Sequence, residues 1–253
     1  MNNVRPRVGF WILKRGIRSV LKFMSAQSIE SFIRLLKKSP SGSVFNPWWQ
    51  VDKENDISRH APGTRRKHLR AYLCKRLGKA RLVVIGEALG YRGGHFSGIP
   101  MTSERILLGK KKDVGIESKQ VFASIKPHRT STPEKCPDGF SEPTATIVWS
   151  TLLRLGLRPE QFVLWNAFPW HSFDSRRGML SNRTPTKTEG CAGIPVLKAF
   201  LELFPCDEIV ALGSVAASQL KELDIEMHYV RHPASGGAKL FRQEIAELVG
   251  KLP

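Results

Sequence analysis

The sequence predicts an α/β fold of three layers, α/β/α, around a central four-stranded parallel sheet, with basic helices added at the N-terminus. Four apolar runs of strand length, "LVVIG" (Leu82 to Gly86), "QFVLWNA" (Gln161 to Ala167), "EIVALG" (Glu208 to Gly213) and "MHYVRH" (Met227 to His232), lie between stretches of helical periodicity. Strand alternating with helix argues for a doubly wound sheet. At 253 residues and 41% hydrophobic content, the chain can bury the core that such a sheet requires. Finally, polar residues close these runs: Gly86 and Glu87, then Asn166, then Arg231 and His232. They fall at the carboxyl ends of the strands, where open α/β sheets bind ligands.

The remaining elements follow in order. From Val8 to Lys38 apolar residues recur at helical spacing (Phe10, Ile12, Leu13, Ile17, Val20, Leu21, Met24), which predicts one or two basic amphipathic helices. "KKSPSGSVFNPWWQ" breaks that pattern with Pro, Gly and Ser and marks a boundary, so the chain divides into a helical extension, 1–44, and an α/β domain, 45–253. The tryptophan pair in this stretch is expected to pack on the core. "TRRKHLRAYLCKRLGKA" is a helix with Leu69, Tyr72, Leu73 and Leu77 on its apolar side and a strongly basic, solvated opposite side. Residues 110–141 have little periodicity and read as a long mobile insertion. "PTATIVWSTLLRLG", "TEGCAGIPVLKAFLELF", "SVAASQLKEL" and "AKLFRQEIAELVG" supply the helices between and after the later strands.

Forty Lys and Arg against twenty-two Asp and Glu give a net charge of +18, which points to a polyanionic partner: nucleic acid first, an anionic membrane second. No stretch is long and apolar enough to span a membrane. The acid-free, Arg-rich start resembles a mitochondrial presequence, but an amphipathic helix of a basic protein accounts for it as well, and a cytoplasmic location is expected, on the nucleoid if the source is bacterial. Cys74, Cys136, Cys191 and Cys206 are scattered without a C-x-x-C pair and read as reduced thiols.

The stretch "VVIGEALGYRGGHFSGIPMTSE" (Val83 to Glu104) turns from buried strand to glycine-rich loop, yet it contains neither G-x-G-x-x-G nor a P-loop, so neither nucleotide-binding motif is supported. A lone histidine after a strand is usually structural; His232 differs, since "RHPASGG" sets it before a proline and a glycine-rich loop at the ligand edge. Asn166 closes the apolar run "FVLW". A buried amide there is costly without partners and is well suited to reading the edge of a planar ligand.

Together "GEALG", "HFSG", "LWNAFPWH", "ALG" and "RHPASGG", in this order, resemble the uracil-DNA glycosylase superfamily from about Arg81 to the C-terminus. The resemblance implies a three-layer fold with a four-stranded parallel sheet and excision of uracil from single- or double-stranded DNA by a monomer. It implies that Phe96 stacks on the flipped base, that Asn166 hydrogen-bonds the pyrimidine edge, and that His232 donates to O2 as charge builds on the leaving base. Glu87 orients or activates the attacking water, and Gly86, Ala88 and Gly90 line the pocket. Arg183, Arg231, Ser235, Gly236, Gly237, Lys239 and Arg242 are placed near the DNA, with Leu240 a candidate wedge.

Ala88 and Gly90 stand where the best-known branch carries an aspartate and a methyl-blocking aromatic, and Leu89 replaces the proline of the more similar G-E-A-P-G type. That type usually holds a four-cysteine iron–sulfur cluster. Cys191 alone matches one of its ligands, so no cofactor or metal is expected. Three further readings stay open. The chain could be a glycosylase for hypoxanthine or xanthine, a sensor that binds uracil or abasic DNA without turnover or covalently through His232, or a general nucleic-acid-binding protein.

Overall fold

The computed structural model describes residues 27–252. The helical residues Phe10, Ile12, Leu13, Ile17, Val20, Leu21 and Met24 therefore lie outside the described residues. Helix α1 (27–35) and the turn after it bury Ile29, Phe32, Ile33 and Leu36 in the main core. There follow β1 (Val44–Phe45), α2 (Ala61–Arg76), β2 (Leu82–Ala88) and three single-turn helices, α3 (Gly94–Ser97), α4 (Glu104–Leu107) and α5 (Ser118–Val121). The second half comprises α6 (Pro143–Arg154), β3 (Phe162–Phe168), β4 (His171–Ser172), α7 (Lys187–Leu203), β5 (Glu208–Leu212), α8 (Ser214–Glu222), β6 (His228–Val230) and α9 (Ala238–Val249).

The sheet is the one the sequence predicts: four parallel strands in the order β3-β2-β5-β6. β3 is buried throughout and β2 from Leu82 to Gly86, as continuous apolar strands covered on both faces must be. Trp165 stacks on Phe200 of α7 (4.8 Å between ring centroids) and meets Phe32 of α1 (5.1 Å), whereas Phe162 packs on Trp149 of α6 (5.0 Å). Side chains alternate along a strand, so α1 and α7 cover one face and α6 the other. β1 and β4 form a separate antiparallel ribbon, Phe45 opposite His171. Among the described residues no helix is long and apolar enough to cross a membrane.

Helix α2 does more than cover apolar surface. β3 lies at an edge of the sheet, and its free backbone groups are met by side chains: Leu164 N–H donates to Tyr72 Oη (2.7 Å) and Arg76 Nε donates to Phe162 O (2.9 Å). The Arg76 guanidinium lies over the Tyr72 ring at 3.8 Å and also donates to Val121 O (2.8 Å). Burial lowers its pKa to about 10, so it remains charged near neutrality. The basic face expected to be solvated is thus partly internal, since Arg65, His68 and Arg76 are all fully buried. Arg65 is there because Asp56, equally buried, accepts from its Nη1 at 2.6 Å.

Residues 110–141, expected to be mobile, are packed. Glu104 of α4 is wholly buried, and a buried carboxyl must find donors. It accepts from Thr130 N–H (2.6 Å), Ser131 N–H (3.0 Å) and the Ser131 hydroxyl, which anchors the later part of the segment, while Ile116, Val121 and Phe122 anchor the earlier part in the core. The tryptophan pair behaves as expected: Trp48 is buried with Nε1 donating to Gly98 O (2.9 Å), and Trp49 lies under the Arg66 guanidinium at 4.2 Å.

Tyr72→Phe tests the sealed edge. Leaving the Leu164 N–H unmet should cost about 1–3 kcal/mol, read as a lower urea midpoint at unchanged slope; an unchanged midpoint would show that the edge bond contributes nothing.

Candidate active site at the carboxyl edge of the sheet

The strand register brings the predicted polar residues to one end. Gly86 pairs with Asn166 across β2 and β3, and Leu212 pairs with Val230 across β5 and β6, two residues before His232. Gly213, the last residue of "ALG", has φ +90°, and a Cβ there would fall 3.3 Å from the Cβ of His232. Its glycine therefore provides both the turn into α8 and clearance for the histidine.

Beyond these ends lies a cleft of about 540 Å³ whose lining includes Glu87, Gly90, Arg92, Glu142, Asn182 and His232. Ala88 and Arg183 also line it. Of the residues singled out in the sequence, Glu87, Ala88, Gly90 and His232 are thus brought together.

His232 is half-buried, and its Nδ1 accepts a hydrogen bond from Ala234 N–H at 3.1 Å. An acceptor nitrogen carries no proton, so the neutral ring is protonated on Nε2 and presents one N–H donor. Burial, aided by the charge of Arg231, lowers the imidazole pKa and favours this neutral form. The loop that holds it is tight. A Cβ at Gly237 would fall 2.1 Å from His232 O, Gly236 has φ +79° and Ser235 φ +53°.

Two features of the cleft escaped the sequence reading. Asn182 accepts from Tyr91 N–H through Oδ1 (3.0 Å), tying the glycine-rich loop to the segment before α7. Glu142, at the N-cap of α6, enters from the opposite side. Its Oε2 is buried without a hydrogen-bond partner, and burial pushes its pKa up to about 7. A Cβ at Gly93 would fall 2.1 Å from Oε2 and one at Gly90 3.2 Å from Oε1. The glycines of "GYRGG" leave the room that this carboxyl occupies.

Phe96 and Asn166 lie outside the cleft lining. Phe96 is fully buried, with Phe140 stacked on its ring (4.4 Å between centroids, 17° between planes). Phe140 comes from the aperiodic segment read as mobile, where no pattern marks a core side chain. Asn166 is 1% exposed, and neither its Oδ1 nor its Nδ2 has a partner. A Cβ at Gly86 would sit 2.7 Å from that Oδ1 and 3.3 Å from Sδ of Met101, a residue held at φ +46°. Buried amides are almost always paired; this one keeps its donor and acceptor free.

The expected DNA-facing residues divide into two groups. Lys239, Arg242 and the loop residues Ser235 and Gly236 are exposed, as is Leu240 at 47%. Gly237 is buried, and Arg231 is half-buried with its N–H donating to Glu244 (2.6 Å). Arg183 lines the cleft with its donors already engaged. Its guanidinium grips Glu189 in two bonds of 2.7 Å and also donates to Phe173 O, Thr184 O and Ser43 O, so every N–H it carries is already used as a brace.

Beside the cleft runs a buried chain of groups: Asp52 Oδ2 to His95 Nε2 (3.1 Å), His95 Nδ1 to His171 Nδ1 (3.0 Å), and His171 Nε2 to Ser181 O (2.8 Å). Ser181 O can only accept, so His171 donates from Nε2 and takes the proton of His95 on Nδ1.

A parallel sheet that sets a neutral imidazole donor and carboxyl groups at one strand edge, on a strongly basic chain with no phosphate loop, has the character of a base-excising α/β protein rather than a nucleotide-binding one. The model of the uracil DNA glycosylase superfamily matches residues 75–248, and the chain belongs to that superfamily of DNA glycosylases, which act in base excision repair. In fold it is similar to the crystal structure of wild-type SMUG2 from Pedobacter heparinus, with a TM-score of 0.59 at 16% identity over 90% of this chain and 97% of that one. No curated protein matches the chain. The cysteines do not fit an iron–sulfur cluster: Cys74 and Cys191 are exposed, and among the described residues no three His, Cys, Asp or Glu side chains are disposed to hold a metal.

Burial and the neighbouring His95 push the pKa of His171 down to about 3, and burial pushes that of His68 down to about 4, both from 6.5. Between those values the unfolded chain binds more protons than the folded one. The stabilisation is therefore complete above about pH 6.5 and is lost on acidification toward pH 4 and then 3. A urea midpoint that fell on acidification from pH 7 to 4, with a shallower fall in His171→Gln, would match this expectation; equal slopes would contradict it.

Proposed function

We propose that the protein is a monofunctional glycosylase that extrudes uracil from DNA and hydrolyses its N-glycosidic bond with water, leaving an abasic site. The observation that carries this reading is the fixed tautomer of His232, which aims one neutral N–H donor into the cleft that also contains Glu87. When the C1′–N1 bond breaks, its electron pair goes to the base, and a donor already in place meets the new charge without reorganisation. Water adds to C1′, positioned by the Glu87 carboxyl, which takes its proton. Asn166 is the group proposed to read the base edge, an unpaired amide able to accept from N3–H and donate to O4. For the base to stack on Phe96, the Phe140 ring must yield.

The exposed Arg92, Lys239 and Arg242, the Ser235 to Gly237 loop and the net charge of +18 support a grip on phosphates around the extruded nucleotide. Leu240 is the exposed apolar side chain best placed to fill the vacated stack. One observation favours a wider substrate range. Ala88 puts only a methyl group into the cleft, so larger deaminated bases such as hypoxanthine and xanthine meet little obstruction beside it.

The test uses labelled single- and double-stranded oligonucleotides bearing one uracil, hypoxanthine or xanthine, incubated in EDTA and then treated with alkali. The proposal expects breakage at uracil that appears only after alkali. It also expects a rate lower by roughly 10²–10³-fold in His232→Ala, the cost of one preorganised donor. Breakage at hypoxanthine or xanthine alone would reassign the substrate. Binding without breakage, or an adduct that survives denaturation and is lost with His232, would establish a damage-binding protein instead.

A further inference from the structure

Buried acids elsewhere in this protein have found partners. Glu104 accepts from three donors, Asp56 is paired with Arg65, and Asp52 accepts from Asn55 and meets His95 Nε2 at 3.1 Å. Glu142 is the exception in a place where partners are close at hand. The charged and titratable groups that share its cleft are Glu87 from β2, Arg92 from the loop after β2, Arg183 from the segment before α7 and His232 from the loop after β6. Arg183 is fully committed to Glu189 and three carbonyls, and Arg92 Nε donates to Tyr91 Oη (2.8 Å). Neither neutralises Glu142, whose Oε2 stays buried and unmet in a seat made by the missing side chains of Gly90 and Gly93.

We propose, on the glycosylase reading above, that Glu142 is a substrate-contacting residue of this cleft, whose acid form donates a hydrogen bond to a carbonyl oxygen of the extruded base. A neutral carboxylic acid offers an O–H donor that a carboxylate lacks, and uracil, hypoxanthine and xanthine all carry a carbonyl oxygen to receive it. With His232 it gives the cleft two donors from two different elements for a base that departs as an anion. The desolvation of its carboxylate by burial keeps the proton on Glu142 up to about pH 7. Above that, an ionised Glu142 repels the leaving base instead of donating to it.

The experiment is single-turnover excision of uracil from DNA by wild type, Glu142→Gln, Glu142→Ala and Gly93→Ala across pH 7. The wild-type rate is expected to fall about tenfold per pH unit above 7. Glu142→Gln, which keeps a donor and an acceptor but cannot ionise, should show no such fall, and any limb due to His232 lies on the acid side because its pKa is lowered. Glu142→Ala should be slower by roughly 10²-fold at pH 6. Gly93→Ala should lose activity likewise, since its Cβ must displace the carboxyl.

Carbon-13 titration of Glu142 in the wild-type protein gives a second readout that needs no variant to fold: binding DNA that carries an uncleavable 2′-fluoro uracil nucleotide should raise the midpoint. An alkaline fall that persists unchanged in Glu142→Gln, or a midpoint that DNA does not move, overturns the role of Glu142 while leaving the glycosylase reading intact. If wild type releases no base, that reading fails and this inference falls with it.

Discussion

The site depends on the register of one strand. β2 lies between β3 and β5, pairing Gly86 with Asn166 on one side and Ile85 with Ala211 on the other. In a parallel sheet all strands point the same way, so fixing the register of the central strand fixes where every strand end emerges. A slip of one residue would also turn every side chain of the slipped strand to the other face. The continuous burial of β2 and β3 holds the register; the cleft follows from it.

Around that frame, charge is used inside the molecule as well as on it. Arg76 closes a sheet edge, Arg65 joins α2 to the segment before it through Asp56, Arg183 ties the β1 and β4 ribbon to the start of α7, and Glu104 holds the late part of the 110–141 segment. Each is buried or half-buried and bound to backbone or to an opposite charge. Such ions are tolerable because nearly every donor or acceptor they carry is met. Trp49, Asn55, Arg76, Trp165 and Gln219 each keep one buried polar atom unmet as well, but Asn166 and Glu142 are the unmet groups at or next to the cleft, where a ligand can complete them.

β2 and β3 were legible because strands buried on both faces must be unbroken apolar runs, whereas β5 and the exposed edge strand β6 were legible from their places between helical segments. His232 and Glu87 were legible because they follow such runs directly. Glu142 was not: it precedes a helix-starting proline after an aperiodic stretch, and only the steric demand of Gly90 and Gly93, visible in three dimensions, gives it away. The same stretch concealed the packing of Phe140 on Phe96. The basic side of α2 was misread because a guanidinium that serves a backbone carbonyl has the same sequence signature as one that serves water. The bracing bonds of Arg183 were not legible for a related reason, its partner Glu189 being six residues away in a capped helix start.

The sealing of β3 by Tyr72 and Arg76 also bears on how this chain behaves in company. An open strand edge is a template on which another chain can pair. Here one edge is occupied by side chains of its own helix, and the other, β6, runs only from His228 to Val230. A protein that must approach long polyanions at high local concentration thus offers its neighbours almost no backbone to recruit, and crowding along one nucleic acid need not lead to strand exchange or to fibres.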